Sequence, residues 1–371
     1  MVESPLAQSS YIYVCTRLRA RKARLLPEEV YMRMLKMSIP EITRFIGEHG
    51  YGGEVHEYAS RHHGIDLIET ALTQNLARSF QEVIHIAPGR LHTLTAWYLH
   101  RWDIINVMSI LRALHKELPR TWIASIVVPA GELDREALAK IIAQKTVETA
   151  IDQLDGWRLY PTIVRAYFSE PEKGRFARTE NALYRRYYAD LLCDCRTGLQ
   201  GASILDAYIR LELDITNFKN LLRLRSIGAR CDCTTEMIPG GNISIAEFQQ
   251  HEGLEDHDSF VRWFGSTRIL PLLVQALRTL QRDPAIGDNA ALEFIWRQWS
   301  ERRRPVHEVE MAVTHMRLDQ MERISKQHPF SVLPILVYLE RKKYEVFNIR
   351  AIARGIDFGI PTEEIQRYLV I

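Results

Sequence analysis

The sequence predicts an all-α protein of three tandem, homologous helical bundles. Three observations lead there: a helical phrase that occurs three times, a second phrase at a fixed distance before it, and a near absence of strand periodicity. The first phrase is an acid, an Asn three residues later and an Arg six residues beyond that. It occurs as Asp103, Asn106 and Arg112, as Asp214, Asn217 and Arg223, and as Glu345, Asn348 and Arg354. Apolar residues fill matching slots at Ile104, Ile215 and Val346, and again at Ile110, Leu221 and Ile352. The second phrase, Glu-x-Ala-(Leu/Val), begins at Glu69, Glu180 and Glu310, which stand 37, 37 and 38 residues before the three Asn. Duplication of a whole structural unit preserves spacing of this kind.

The elements follow in order. Pro followed by acids or glycines marks the start of each unit, at Leu26-Pro27-Glu28-Glu29, Val128-Pro129, Ile238-Pro239 and Ile360-Pro361-Thr362-Glu363-Glu364. Pro suits the first helical turn and acids suit the positive end of the helix dipole, so each marker is expected to open a helix. The units then run over 1–128 with an N-terminal helix, 129–238 and 239–360, and residues 361–371 form a partial unit that completes the array. Within them, Val30-x-x-x-Met34-Leu35, Leu138-x-x-Ile141-Ile142 and Ile365-x-x-x-Leu369 have helical spacing. Residues 72–83, 183–192 and 313–324 are longer amphipathic helices. Gly and Pro cluster between them, as at Gly50 to Gly53, Pro171 to Gly174 and Pro239 to Gly241. A short apolar piece such as Ser125 to Val128 is extended at most, and such pieces are too few for a sheet.

Composition limits the function. The chain has 371 residues, 46% of them apolar, enough for a buried core. Its 48 basic and 46 acidic residues leave a net charge of +2, so no broad field selects a nucleic acid. Local basic runs, at Arg17 to Arg24 and Arg302 to Arg304, read as solvated faces or partner-docking sites. No apolar run reaches the roughly 18 to 20 residues that span a bilayer. The first ten residues have neither the basic start nor the apolar centre of a signal peptide.

Five cysteines form no disulfide framework. Four make two Cys-x-Cys pairs, Cys193 with Cys195 and Cys231 with Cys233, which would bind a metal if they met. A helix ending near Cys195 and another from about 203 to 225 place the pairs at opposite ends, roughly 33 Å apart at about 1.5 Å per residue. Free thiols are the favoured reading over a shared metal site.

On a helix at about 100° per residue, Asp103 falls inside the apolar stripe of its phrase, Asn106 at the edge of that stripe and Arg112 on the opposite face. A buried carboxylate must be paired, hydrogen-bonded or neutral. The three acids either converge on a metal or act as acid–base groups, or they fasten their own bundles across to neighbouring helices. The second reading is favoured, because duplication copies a packing device automatically. Arg112, Arg223 and Arg354 then line a socket or meet a neighbouring unit. No P-loop is present, Gly50-x-Gly52 lacks the rest of a dinucleotide fingerprint, and His307-Glu308 is not followed by the second His of a zinc protease. Glu82-x-x-His85 occurs once, where a di-iron bundle needs two copies. No nucleophile has a credible base, and neither a catalytic residue nor a cofactor is expected.

Three segments carry a resemblance. Tyr98-Leu-His-Arg101-Trp102-Asp103-Ile-Ile-Asn106 with Ile110-Leu111-Arg112 is one. Glu345-Val-Phe-Asn348-Ile-Arg350 with Arg354-Gly355, continuing to Gly359-Ile-Pro361-Thr-Glu363-Glu364-Ile365, is the second. Tyr11-x-Tyr13 with the Arg-rich run to Leu25-Leu26 is the third. Over residues 11–371 the chain resembles the C subunit of archaeal A-type ATP synthases, a family related to the d subunit of eukaryotic V-type ATPases. The resemblance implies three bundles in a pseudo-threefold funnel. It also implies a non-catalytic rotor subunit, peripheral on the cytoplasmic side of the cell membrane. That subunit joins the membrane proteolipid ring to the central shaft of D and F subunits and carries torque during proton- or sodium-driven ATP synthesis or ATP-driven pumping. The Cys-x-Cys pairs lie outside the family pattern. A helical scaffold of another complex, or a metal-dependent enzyme built on the carboxylates or cysteines, are the alternative functions.

Overall fold

The computed structural model describes residues 5–169, 171–172, 174–196, 199, 201–227, 232–301 and 307–370. Every regular element among them is a helix, in keeping with the all-α expectation. The chain divides into two compact units, one of Met1–Leu183 with Phe330–Ile371 and one of Tyr184–Pro329.

In the first unit the Gly64–Ile86 and Leu333–Asp357 helices pack against each other, and the Pro5–Lys22 helix lies on the second of them. Leu72, Leu76 and Phe80 recur at spacings of about one turn and are all buried, as are Leu336, Ile349 and Ile352. Val14, Cys15 and Leu18 bring the N-terminal helix into this core, where the Cys15 thiol donates to the Ser331 carbonyl at 3.6 Å. Burial pushes the Cys15 thiol up to about 11, so it stays protonated and behaves as a small apolar side chain. The Arg101–His115 helix belongs to the same unit and buries Ile104, Val107, Ile110 and Leu111.

The second unit is built around the Ala202–Ser226 helix and is rich in aromatic residues. Phe260 stacks on Phe264 with ring centroids 5.6 Å apart, and the Trp299 ring lies 4.9 Å from Phe260. Arg225 covers the open face of Trp299 at 4.3 Å, while the indole N–H of Trp299 donates to the Leu254 carbonyl at 2.7 Å. The polar handle of a buried Trp is thus satisfied, and its ring contributes fully to the core.

Two of the four Pro markers behave differently from expectation. Pro27 and Pro361 do stand immediately before helices, at Glu28–Met34 and Thr362–Gln366. Pro129 and Pro239 open loops instead. The helices that follow them start at Arg135 and Ile245, where Asp134 and Ser244 cap the first turn by accepting from Ala137 N–H at 2.8 Å and Glu247 N–H at 3.1 Å. The residues after each Pro remain non-helical because their backbone amides are needed by a buried carboxylate.

Candidate functional site

Each Asn of the repeated phrase clamps one residue through both edges of its side-chain amide. Asn106 donates to the Val128 carbonyl at 2.7 Å and accepts from the Val128 N–H at 3.0 Å. Asn217 does the same to Ile238 at 2.8 and 2.9 Å, and Asn348 to Val370 at 2.8 Å in both directions. The side chain imitates one rung of a β-ladder and pairs a backbone segment that has no strand to meet. All three Asn are buried.

In the first two copies the acid holds the same loop a little further along, and in the third it holds a separate segment. The Asp103 carboxylate accepts from Glu132 N–H at 2.7 Å and Leu133 N–H at 3.0 Å. Asp214 accepts from Ile243 N–H at 2.9 Å and from the Asn242 side-chain amide at 2.8 Å. Glu345 accepts from Leu26 N–H at 2.7 Å, the Tyr51 hydroxyl at 2.6 Å and the Lys342 ammonium at 2.8 Å. Burial and hydrogen bonding oppose each other at the aspartates. Burial prevails, lifting Asp103 to about 7 against the pull of its two amide donors and raising Asp214 in the same direction.

The loops approach so closely that glycine is required. A Cβ on Gly131 would lie 2.2 Å from an Asp103 carboxylate oxygen, and one on Gly241 would lie 2.1 Å from the corresponding atom of Asp214. Pro129 and Gly131 of the first copy thus match Pro239 and Gly241 of the second.

These contacts change the register of the markers. Leu26-Pro27 occupies the place of Leu133-Asp134 and Ile243-Ser244, because Leu26 gives its amide to Glu345 as Leu133 and Ile243 give theirs to Asp103 and Asp214. Pro361 matches Pro119, each being thirteen residues after its Asn and immediately before a short helix. Val370 matches Val128 and Ile238. Residues 361–370 thus meet the third copy of the phrase as residues 119–128 meet the first.

The arginines follow a rule of their own. Arg112 of the first copy pairs with Glu180 of the second phrase, Arg223 with Glu310, and Arg354 with Glu69. Each repeat thus reaches the Glu of the next, and the third returns to the first. The guanidinium groups are about half exposed, whereas Asp103, Asp214 and Glu345 are buried. The phrase therefore has a buried end that ties its own loop and an outer end that ties the following repeat.

Set beside known proteins, nearly the whole length of the chain finds counterparts. A family profile described as ATP synthase (C/AC39) subunit matches residues 14–368. The chain belongs to that family.

The C subunit of the A-type ATP synthase of Haloferax volcanii is 32% identical over 360 residues, covering 97% of each chain. Its counterpart in Methanococcoides burtonii is 31% identical over 98% of this chain and 95% of its own. That of Archaeoglobus fulgidus is 30% identical over 98% and 97%. As a member of the ATP synthase (C/AC39) family, the chain is a non-catalytic subunit of a rotary ATP synthase and one component of a hetero-oligomeric, membrane-associated complex. No helix among its described residues is long and apolar enough to cross a membrane.

In this family member the described cysteines, Cys15, Cys193, Cys195 and Cys233, form no disulfide. Cys193 is exposed, Cys195 is buried and Cys233 donates to a Glu252 carboxylate oxygen at 3.3 Å; Cys231 and the Arg302 to Arg304 run lie outside the described residues. No group of three His, Cys, Asp or Glu among the described residues is arranged to hold a metal ion.

Sequence reasoning singled out the acid, Asn, Arg and Glu of each copy but not their partners. Two signals were present. Opposite charges recurring three times at one spacing foretell the Arg–Glu pairing, and an apolar residue 21 or 22 positions after each Asn foretells the clamped residue. The half-buried pairs Arg317 with Glu212 at 3.0 Å and Lys343 with Glu340 at 2.6 Å gave no repeated signal, since each occurs once.

Proposed function

We propose that the chain is the rotor subunit that joins the membrane proteolipid ring to the central shaft of D and F subunits and carries torque between them. It lies peripherally on the cytoplasmic face, during proton- or sodium-coupled synthesis or hydrolysis of ATP. A pseudo-threefold arrangement of the repeats is part of the proposal. The observation that carries it is the cyclic pairing of Arg112 with Glu180, Arg223 with Glu310 and Arg354 with Glu69. Each of these pairs ties one copy of the phrase to the Glu of another within a single compact unit, a repeated brace of the kind a stiff coupler needs.

Torque transmission asks for stiffness. Each repeat buries a carboxylate and an Asn that hold backbone segments, and each buried polar group is costly to leave unpaired, so these segments resist shear. Co-purification tests the reading. Tagged protein drawn from detergent-solubilised membranes should bring down the proteolipid ring and both shaft subunits in fixed ratio. Recovery of the chain with neither would overturn it.

A further inference from the structure

The third copy of the clamp is assembled from two segments far apart in sequence. In the first two copies a single continuous loop serves both polar residues: Val128 to Leu133 bonds Asn106 and Asp103, and Ile238 to Ile243 bonds Asn217 and Asp214. In the third, Asn348 holds Val370 and Glu345 holds Leu26. No loop joins these two positions directly, as one does in the other copies.

The donor supplied by that loop elsewhere has a replacement here. The amide equivalent to that of Glu132 is that of Leu25, which donates to the Lys22 carbonyl at 3.1 Å instead. Lys342 and Tyr51 take its place on Glu345, and the Lys342 ammonium also donates to the Tyr51 hydroxyl at 2.9 Å. The acid here is Glu, one methylene longer than in the other copies, which lets it reach donors on three segments. Tyr31, on the helix that Leu26-Pro27 introduces, interacts with the Asn348 side chain and is buried. On the other side, Ile365, Leu369 and Val370 are buried, and Gly355 admits Ile365 where a Cβ would lie 2.5 Å from it.

We propose that residues 26–34 and 362–370 form one latch, opening and closing together around Glu345 and Asn348 although they are remote in sequence. The two polar residues stand three apart on one helix and couple the segments, so release of either segment exposes the buried acid or the buried amide that the other also covers. Coupling of this kind is reciprocal. The latch is separate from the repeated clamps at Asp103 and Asp214, each of which is closed by one continuous loop.

Amide hydrogen exchange of the full-length protein, followed by mass spectrometry at low urea concentrations, tests this. Peptides covering 26–34 and 362–370 should exchange with the same rate and the same urea dependence, as one cooperative unit does. Removing Val370 and Ile371 should speed exchange at 26–34 by about tenfold or more, and Glu345→Gln should do the same at 362–370. If either variant does not fold, the wild-type comparison alone decides. Wild-type rates or urea dependences that differ by more than about tenfold between the segments, or variant effects confined to the altered segment, overturn the proposal.

Discussion

Arg354, near the end of the last core helix, pairs with Glu69, near the start of the helix at Gly64–Ile86, across 285 residues of sequence. A second bond from the same guanidinium, 2.8 Å long, makes the contact two-pronged, and this pairing raises Arg354 above its already high ordinary value. Arg112 with Glu180 and Arg223 with Glu310 are the same contact in the other two copies.

Because the arginines of these pairs are about half exposed, each pair contributes modestly. Arg112→Ala and Glu180→Ala should each cost about 0.2–1 kcal/mol of stability, with the double variant costing less than the sum. Urea denaturation at low and high salt checks this, and the difference should shrink as salt rises.

The buried end matters more. Asn217→Leu leaves the Ile238 N–H and carbonyl without partners, and a cost of about 2–4 kcal/mol is expected from two unsatisfied groups. Asn217→Asp keeps an acceptor for the N–H but sets a carboxylate oxygen against the Ile238 carbonyl, so it should be destabilising as well. Thermal denaturation of both variants is the measurement.

Gly131→Ala and Gly241→Ala should each lose about 1–3 kcal/mol, because the new methyl group drives the loop off its carboxylate. Gly253→Ala, where a Cβ meets nothing within 4 Å, serves as the comparison and should change stability little. Equal stability of all three variants would contradict the close approach.

Asp103 confers a definite pH dependence. Its folded value of about 7 lies above the ordinary 3.8, so between these values the folded chain holds a proton that the unfolded chain has released. Its contribution to stability is therefore greatest below about pH 4, declines as pH rises to about 7 and is flat beyond. Asp103→Asn should remove that slope. The difference between wild type and variant, on the order of a few kcal/mol across the window, is read from denaturation curves at several pH values.

Helical periodicity and the repeated phrase made the fold class legible, because burial of one face per helix is written in the spacing of apolar residues. Where Asp103 and Asn106 would fall on their helix was legible for the same reason. What they hold was not. Val128 and Leu133 are bound through backbone atoms, which every residue has, so their side chains carry no mark of it. By sequence Leu26-Pro27 aligns with Val128-Pro129, because each is an apolar residue before a Pro, although Pro27 precedes a helix and Pro129 a loop. The split third copy was hidden for a physical reason too: two remote segments that jointly replace one loop share no local sequence signal.

The most direct test of the proposed coupling uses the assembled complex in vesicles, depleted of this chain and then supplied with it again. ATP hydrolysis should persist without it while ATP-driven ion uptake falls to background, and adding the wild-type chain should restore uptake. Ion uptake that continues undiminished in the depleted complex would contradict the account.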